Sequence, residues 1–180
     1  MDCNHITLIS FGYFDEEFLR NVADAVKMEF LFPVQIREGH LDISEFYDPT
    51  RRQYNGVRLI QEVGGLFSED SFKILGLFTV DLFIPILTYI FGQAFLNGNT
   101  GIASTFRLSN ERYGLKSDDV LLLERFIKEV VHELGHTFGL VHCHIPTCVM
   151  RSSTYVEDID QKSPHLCQKC RTEYNARPAG

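Results

Sequence analysis

Residues 132–143 read His132-Glu133-Leu134-Gly135-His136-Thr137-Phe138-Gly139-Leu140-Val141-His142-Cys143. On a helix, side chains four apart lie about 40° apart around the axis, so His132 and His136 point the same way and can grip one ion. Were the helix to continue, His142 would sit about 240° around from His136 and about 9 Å further along, out of reach of that ion. The helix must therefore stop between them, and Gly139 is the residue that takes a left-handed C-terminal turn at little steric cost. Three imidazoles suit zinc and leave its fourth position open for water, which separates a catalytic site from a closed structural one. Glu133, beside the first histidine, is placed to act as a base rather than as a ligand.

A bare His-Glu-x-x-His arises by chance in many helices, but Gly139 and His142 at these offsets make a pair of unrelated surface histidines a poor reading. The run from His132 to His142 resembles the extended zinc signature of the metzincin metallopeptidases.

Upstream, Leu123, Phe126, Ile127, Val130, Val131, Leu134 and Phe138 form an apolar stripe at helical spacing, with Arg125, Glu129, His132 and His136 on the other side. Ser117 is the expected N-cap, with Asp118 and Asp119 in the positive first turn. Residues 102–108 alternate, with Ile102, Ser104, Phe106 and Leu108 on one face and Ala103, Thr105 and Arg107 on the other. That pattern predicts a half-buried strand at a sheet edge, where either solvent or an extended peptide could pair with it.

The remaining periodicities predict an α/β fold. Residues 5–10 and 34–37 read as strands, 16–30 as an amphipathic helix, and 51–63 as a second helix stopped by Gly64-Gly65. Residues 73–83 read as a central strand, with a further one over 87–91. The apolar region 74–95 is interrupted by Asp81, Pro85 and glycines, so buried strands rather than a membrane span are expected.

The 180 residues are enough for one domain with a real core, and 44% hydrophobic with 23% charged content is ordinary for a globular chain. A net charge of -7 without a basic stripe argues against a nucleic-acid partner. The N-terminus lacks a basic segment followed by an apolar one, which predicts no signal peptide and a cytoplasmic protein, expected to be a monomer.

Beyond His142, Cys143 and Cys148 are followed by Cys167 and Cys170. Paired cysteines at these spacings predict a closed tetrahedral zinc site; two disulfides are the competing reading, although they would require an oxidising compartment and leave Cys3 over. Cys3 reads as a small buried hydrophobe, and His144 and His165 as bystanders to a tetrad already complete. Residues 143–170 carry few large apolar side chains, so a metal staple is physically sensible there, and through the His142–Cys143 peptide bond it would also steady the third histidine.

Taken together, His132-Glu133-x-x-His136-x-x-Gly139-x-x-His142-Cys143-x4-Cys148-x-Met150 and Cys167-x-x-Cys170 resemble the archaemetzincins. The resemblance implies a zincin-like α/β (α+β) fold with a twisted mixed sheet. It would be a single domain over 1–180, divided into an upper part (1–139) ending with the active-site helix and a small irregular part (140–180). It implies two Zn2+ per chain, one on His132, His136 and His142 and one on the four cysteines, with Met150 under the imidazoles. It implies a peptidase with Glu133 as base and acid, and an edge strand that binds peptide, a role carried to Ile102, Ala103, Ser104, Thr105, Phe106 and Arg107. Tyr155 is a candidate oxyanion donor or else a surface tyrosine. The alternative is a zinc-binding module of the same fold that performs no hydrolysis.

Overall fold

The computed structural model describes residues 5–67 and 72–177; Cys3 lies outside them. Its principal sheet has five strands in the order β2-β1-β5-β8-β7: β1 (Ile6–Phe11), β2 (Val34–Gly39), β5 (Lys73–Phe78), β8 (Thr100–Ser104) and β7 (Gly92–Ala94). The first four run parallel and β7 is antiparallel to β8. A smaller sheet joins β3 (Tyr47–Asp48), β4 (Gln53–Asn55) and β6 (Leu82–Phe83).

Parallel strands covered on both faces must be apolar throughout, and β1 is buried at every residue. Ile6, Leu8, Leu75, Leu77 and Ala103 pack on one side with α1 (Glu16–Phe30) and α3 (Asp119–Thr137), while Ile9, Ile74, Phe78 and Ile102 pack on the other with α2 (Gly56–Phe67). The α1 helix starts where the Asp15 carboxylate accepts from the backbone N–H groups of Glu17 and Phe18, at 2.9 and 3.1 Å, and Leu19, Val22, Val26 and Phe30 turn inward.

Several sequence expectations need correction. Residues 51–55 are a turn and β4, and the helix begins only where the Asn55 side chain accepts from the N–H groups of Val57 and Arg58. It then runs through Gly64 and Gly65: a Cβ at Gly64 would stand 3.0 Å from Thr100 Oγ1, so glycine there admits close helix–sheet packing instead of ending the helix. The long strand expected over 73–83 is two, because buried Asp81 takes a bidentate contact from Arg107 (2.8 and 2.6 Å) and the chain turns out of the main sheet into β6. In 87–91 only Ile90 makes a bridge, to Leu82.

The expected edge strand is also corrected. Ile102, Ala103 and Ser104 belong to β8, which lies between β5 and β7 and is buried throughout; Thr105 follows it, and Phe106 and Arg107 enter a 3-10 turn. The edge is β7. Ser117 is not the N-cap of α3, since the Asp118 carboxylate accepts from Leu121 N–H at 2.9 Å.

After α3 the chain carries α4 (Val156–Asp160) and α5 (Gln168–Asn175). Buried Glu29 of α1 clasps this segment: its carboxylate accepts from Leu166 N–H at 2.9 Å, contacts His165 Nδ1 at 2.8 Å and pairs with Arg171, whose guanidinium also reaches the Glu29 carbonyl. No helix among the described residues is long and apolar enough to cross a membrane.

Candidate metal centre

The α3 helix stops as its sequence requires. Gly139 has φ +83°, its N–H donates to His136 O at 2.8 Å, and Leu140 N–H reaches back to Gly135 O at 3.0 Å. This pair of bonds is the Schellman closure, which satisfies two of the last free carbonyls. Two outside groups steady the same terminus: Asn97 N–H donates to His136 O at 2.9 Å, and Lys73 Nζ to Thr137 O at 3.0 Å.

The reversal brings His142 back beside the helix. The ring centroids of His132, His136 and His142 are 4.6, 4.9 and 5.3 Å apart, and one donor atom from each lies within 4.8 Å of the others. His132 Nδ1 contacts Val149 O at 2.7 Å and His136 Nδ1 contacts Leu140 O at 2.8 Å. A carbonyl only accepts, so each Nδ1 carries the proton and each Nε2 offers a lone pair. These two Nε2 atoms are 3.1 Å apart, near the roughly 3.3 Å edge of a tetrahedron with zinc–nitrogen bonds of about 2.0–2.1 Å. Burial holds all three imidazoles below their ordinary pKa, His132 most strongly, and so keeps them in the neutral form a metal needs.

The four cysteines form a second cluster. Cys143 Sγ lies 3.8 Å from Cys167 Sγ, as does Cys148 Sγ from Cys170 Sγ. All four are free thiols. A disulfide needs about 2.05 Å, whereas tetrahedral zinc with zinc–sulfur bonds of about 2.3 Å sets its sulfurs about 3.8 Å apart. The spacing and donor set fit zinc, not two disulfides.

Between the clusters Met150 is fully buried, and a Cβ on Gly135 would fall 2.3 Å from its Sδ. Glycine inside α3 thus lets the thioether lie directly against the helix between the two histidine turns. Gly92 of β7 makes a similar accommodation, since a Cβ there would stand 2.7 Å from Glu133 Cγ. Burial and the neighbouring Glu129 carboxylate push Glu133 well above the usual carboxylate pKa; burial also raises Glu129.

A cleft of about 540 Å³ opens over these groups, with Gly92, Gln93 and Ala94 along one wall and Ser153, Thr154 and Tyr155 along the other. Tyr89 OH donates to Thr154 O at 2.9 Å across them. Tyr155 is 63% exposed at the rim, and His144 is exposed and not part of the sulfur cluster. Sequence reasoning missed β7, Glu129 and Lys162. Lys162 is 3% exposed and lines the cleft. The signal available for it was indirect: a polar helix face that carries metal ligands needs a polar cover.

The sequence profile described as peptidase family M54 matches residues 16–176. The chain belongs to peptidase family M54. Among its relatives, the archaemetzincin of Methanopyrus kandleri is 38% identical over 143 residues, covering 79% of this chain and 78% of that protein. The crystal structure of archaemetzincin from the same organism superposes with a TM-score of 0.83 at 32% identity, over 95% of this chain and 93% of that one. A zinc-dependent peptidase from Methanocorpusculum labreanum superposes with a TM-score of 0.82 at 29% identity, over 94% and 100% of the two chains. The α/β fold and the zinc metallopeptidase class implied by the sequence motif are thus those of an M54 member.

Proposed function

We propose that this M54 peptidase hydrolyses peptide bonds with one zinc ion on His132, His136 and His142, and that a second zinc ion, on Cys143, Cys148, Cys167 and Cys170, is structural. The observation that carries this reading is the convergence of three buried-to-exposed neutral imidazoles beside Glu133 at the base of an open cleft. Zinc held there supplies a Lewis acid that acidifies water and polarises a carbonyl. Glu133 takes the proton of the attacking water and returns it to the leaving amine.

The remaining groups orient. An extended peptide adds to β7, the strand whose outer edge is unpaired, and runs along the cleft wall. Gly92 leaves room for Glu133 and for the peptide backbone. Met150 supports the floor in the manner of a Met-turn, and the small part of the chain after residue 139 supplies the lower wall through Ser152, Ser153, Thr154 and Tyr155. The chain acts as a cytoplasmic monomer.

Zinc per chain, measured in the natural protein and in Glu133→Ala, together with cleavage of a diverse short-peptide library, tests the reading. Equal metal content with turnover only by the natural protein is expected, the loss being about 10²–10⁴-fold. Full peptidase activity in Glu133→Ala would remove Glu133 from the mechanism. Both metals with no cleavage by either protein would make the chain a zinc-dependent binding module.

A further inference from the structure

Four polar side chains on one face of α3 point into protein and not into solvent. Arg125 binds Asp160 with two contacts of 2.7 Å, Lys128 Nζ donates to Ile159 O at 3.2 Å, Glu129 is 4% exposed, and His132 Nδ1 donates to Val149 O. What covers this face is the segment from Val149 to Lys162. Lys162 returns from the end of α4 to the floor of the cleft, and its ammonium donates to Arg151 O at 3.0 Å and to Val149 O at 3.3 Å. Those are the carbonyls on either side of Met150. Val149 O is also the acceptor that sets the tautomer of His132.

We propose that Lys162 is a positioning residue for the metal centre: by holding the carbonyls that flank Met150, it fixes the oxygen that orients His132 and the thioether that lies against Gly135. The proposal rests on the reading that the three histidines hold zinc. An ammonium buried this deeply costs free energy unless its donors and charge are matched. Here two carbonyls take its hydrogen bonds, and the acidic pair Glu129 and Glu133 lines the same cleft floor. A buried lysine placed only to satisfy a turn would need neither the shared acceptor with His132 nor a position on the cleft floor. Groups that bind a metal-ligating imidazole at its second nitrogen commonly change metal affinity about 10–100-fold when removed.

The test uses zinc-loaded, full-length protein with Lys162→Met and Lys162→Arg. Zinc is competed from the three-histidine site with a chelator, with the four-cysteine zinc as internal reference. Ring N–H resonances of His132 and His136 are followed by NMR. Lys162→Met is expected to release the first zinc about 10–100-fold more readily, to affect the second much less, and to shift the His132 Nδ1–H resonance but not that of His136, which is bonded to Leu140 O. Lys162→Arg should recover most of the difference. If Lys162→Met fails to fold, Lys162→Met/Glu129→Gln, which removes a carboxylate left without its countercharge, is held to the same outcomes. Unchanged zinc release, or equal weakening of both sites in step with a lower melting temperature, overturns the positioning role. A natural protein that holds zinc on the cysteines alone overturns the metal assignment together with the proposal built on it.

Discussion

The three-histidine and four-cysteine clusters are one peptide bond apart in the chain, between His142 and Cys143, yet they are built in opposite ways. The histidines grade outward from buried His132 through half-buried His136 to exposed His142, and the side they leave open faces the cleft. Two of them ride on a 19-residue helix packed against the sheet, so their geometry is set before any ion arrives. Three of the cysteines are buried, Cys148 and Cys170 at 1% and 3% exposure, with Cys167 half-buried, and they come from a loop and a short helix. On the proposed assignment, the site that exchanges ligands borrows its rigidity from the core, and the site that does not takes the place of a core.

The sharpest way to break that contrast is to open the closed cluster. Cys167→Ser should lose the zinc on the cysteines and weaken the histidine site as well, because Cys143 N–H donates to Met150 O at 2.9 Å and Val149 N–H to His165 O at 3.1 Å. Zinc content and chelator competition check this; unchanged affinity at the histidines would show the two sites to be independent. Next in size is Gly92→Ala. Its Cβ would meet Glu133 Cγ and Ile102 O, each at 2.7 Å, so the base is displaced by about 1 Å and kcat should fall about 100-fold with zinc content unchanged. Steady-state kinetics and metal analysis on the same sample separate the two effects.

The smallest expected effect concerns stability in zinc-stripped protein. Burial, with Glu129 beside it, raises the Glu133 pKa in the folded state well above its ordinary value of 4.5. The folded protein therefore keeps a proton that the unfolded chain releases. Stability from this group is full below about pH 4.5 and is lost as pH rises through the folded pKa. Glu133→Gln carries no such cost, so its melting temperature should match that of the natural protein near pH 4 and exceed it by about 2–4 °C per kcal/mol at pH 7. An advantage that shrinks with rising pH would reverse the assigned cause.

The two clusters were legible because chemistry fixes the offsets of their side chains: donors at i and i+4, a left-handed glycine, then a third donor, which the structure brings together. Element boundaries were less so. Alternation over Ile102 to Leu108 was read as a strand with one wet face, but Ala103 and Ser104 are buried by close packing of the sheet on α3 and α2, and small side chains carry no signal for that. β7, reading Gly-Gln-Ala, has no strand signature at all. Gly64 and Gly65 looked like a stop because glycine favours helix ends, whereas tertiary contact with Thr100 decides at Gly64. Arg125 and Glu129 were assigned to a polar face, which is correct, and that face proves to be buried. Its cover comes from 149–162, a pairing across the chain that helical periodicity does not record.

Glu29 has a consequence for how the molecule comes apart. It sits near the end of α1, in the first sixth of the chain, and its carboxylate binds His165, Leu166 and Arg171, on either side of Cys167 and Cys170. Peeling away the C-terminal segment would strand that carboxylate inside protein with its cationic partner gone, and loosening α1 would do the same from the other side. The α1 helix and the C-terminal segment should thus melt together in one cooperative transition, since a noncovalent clasp closes the loop of about 140 residues between them.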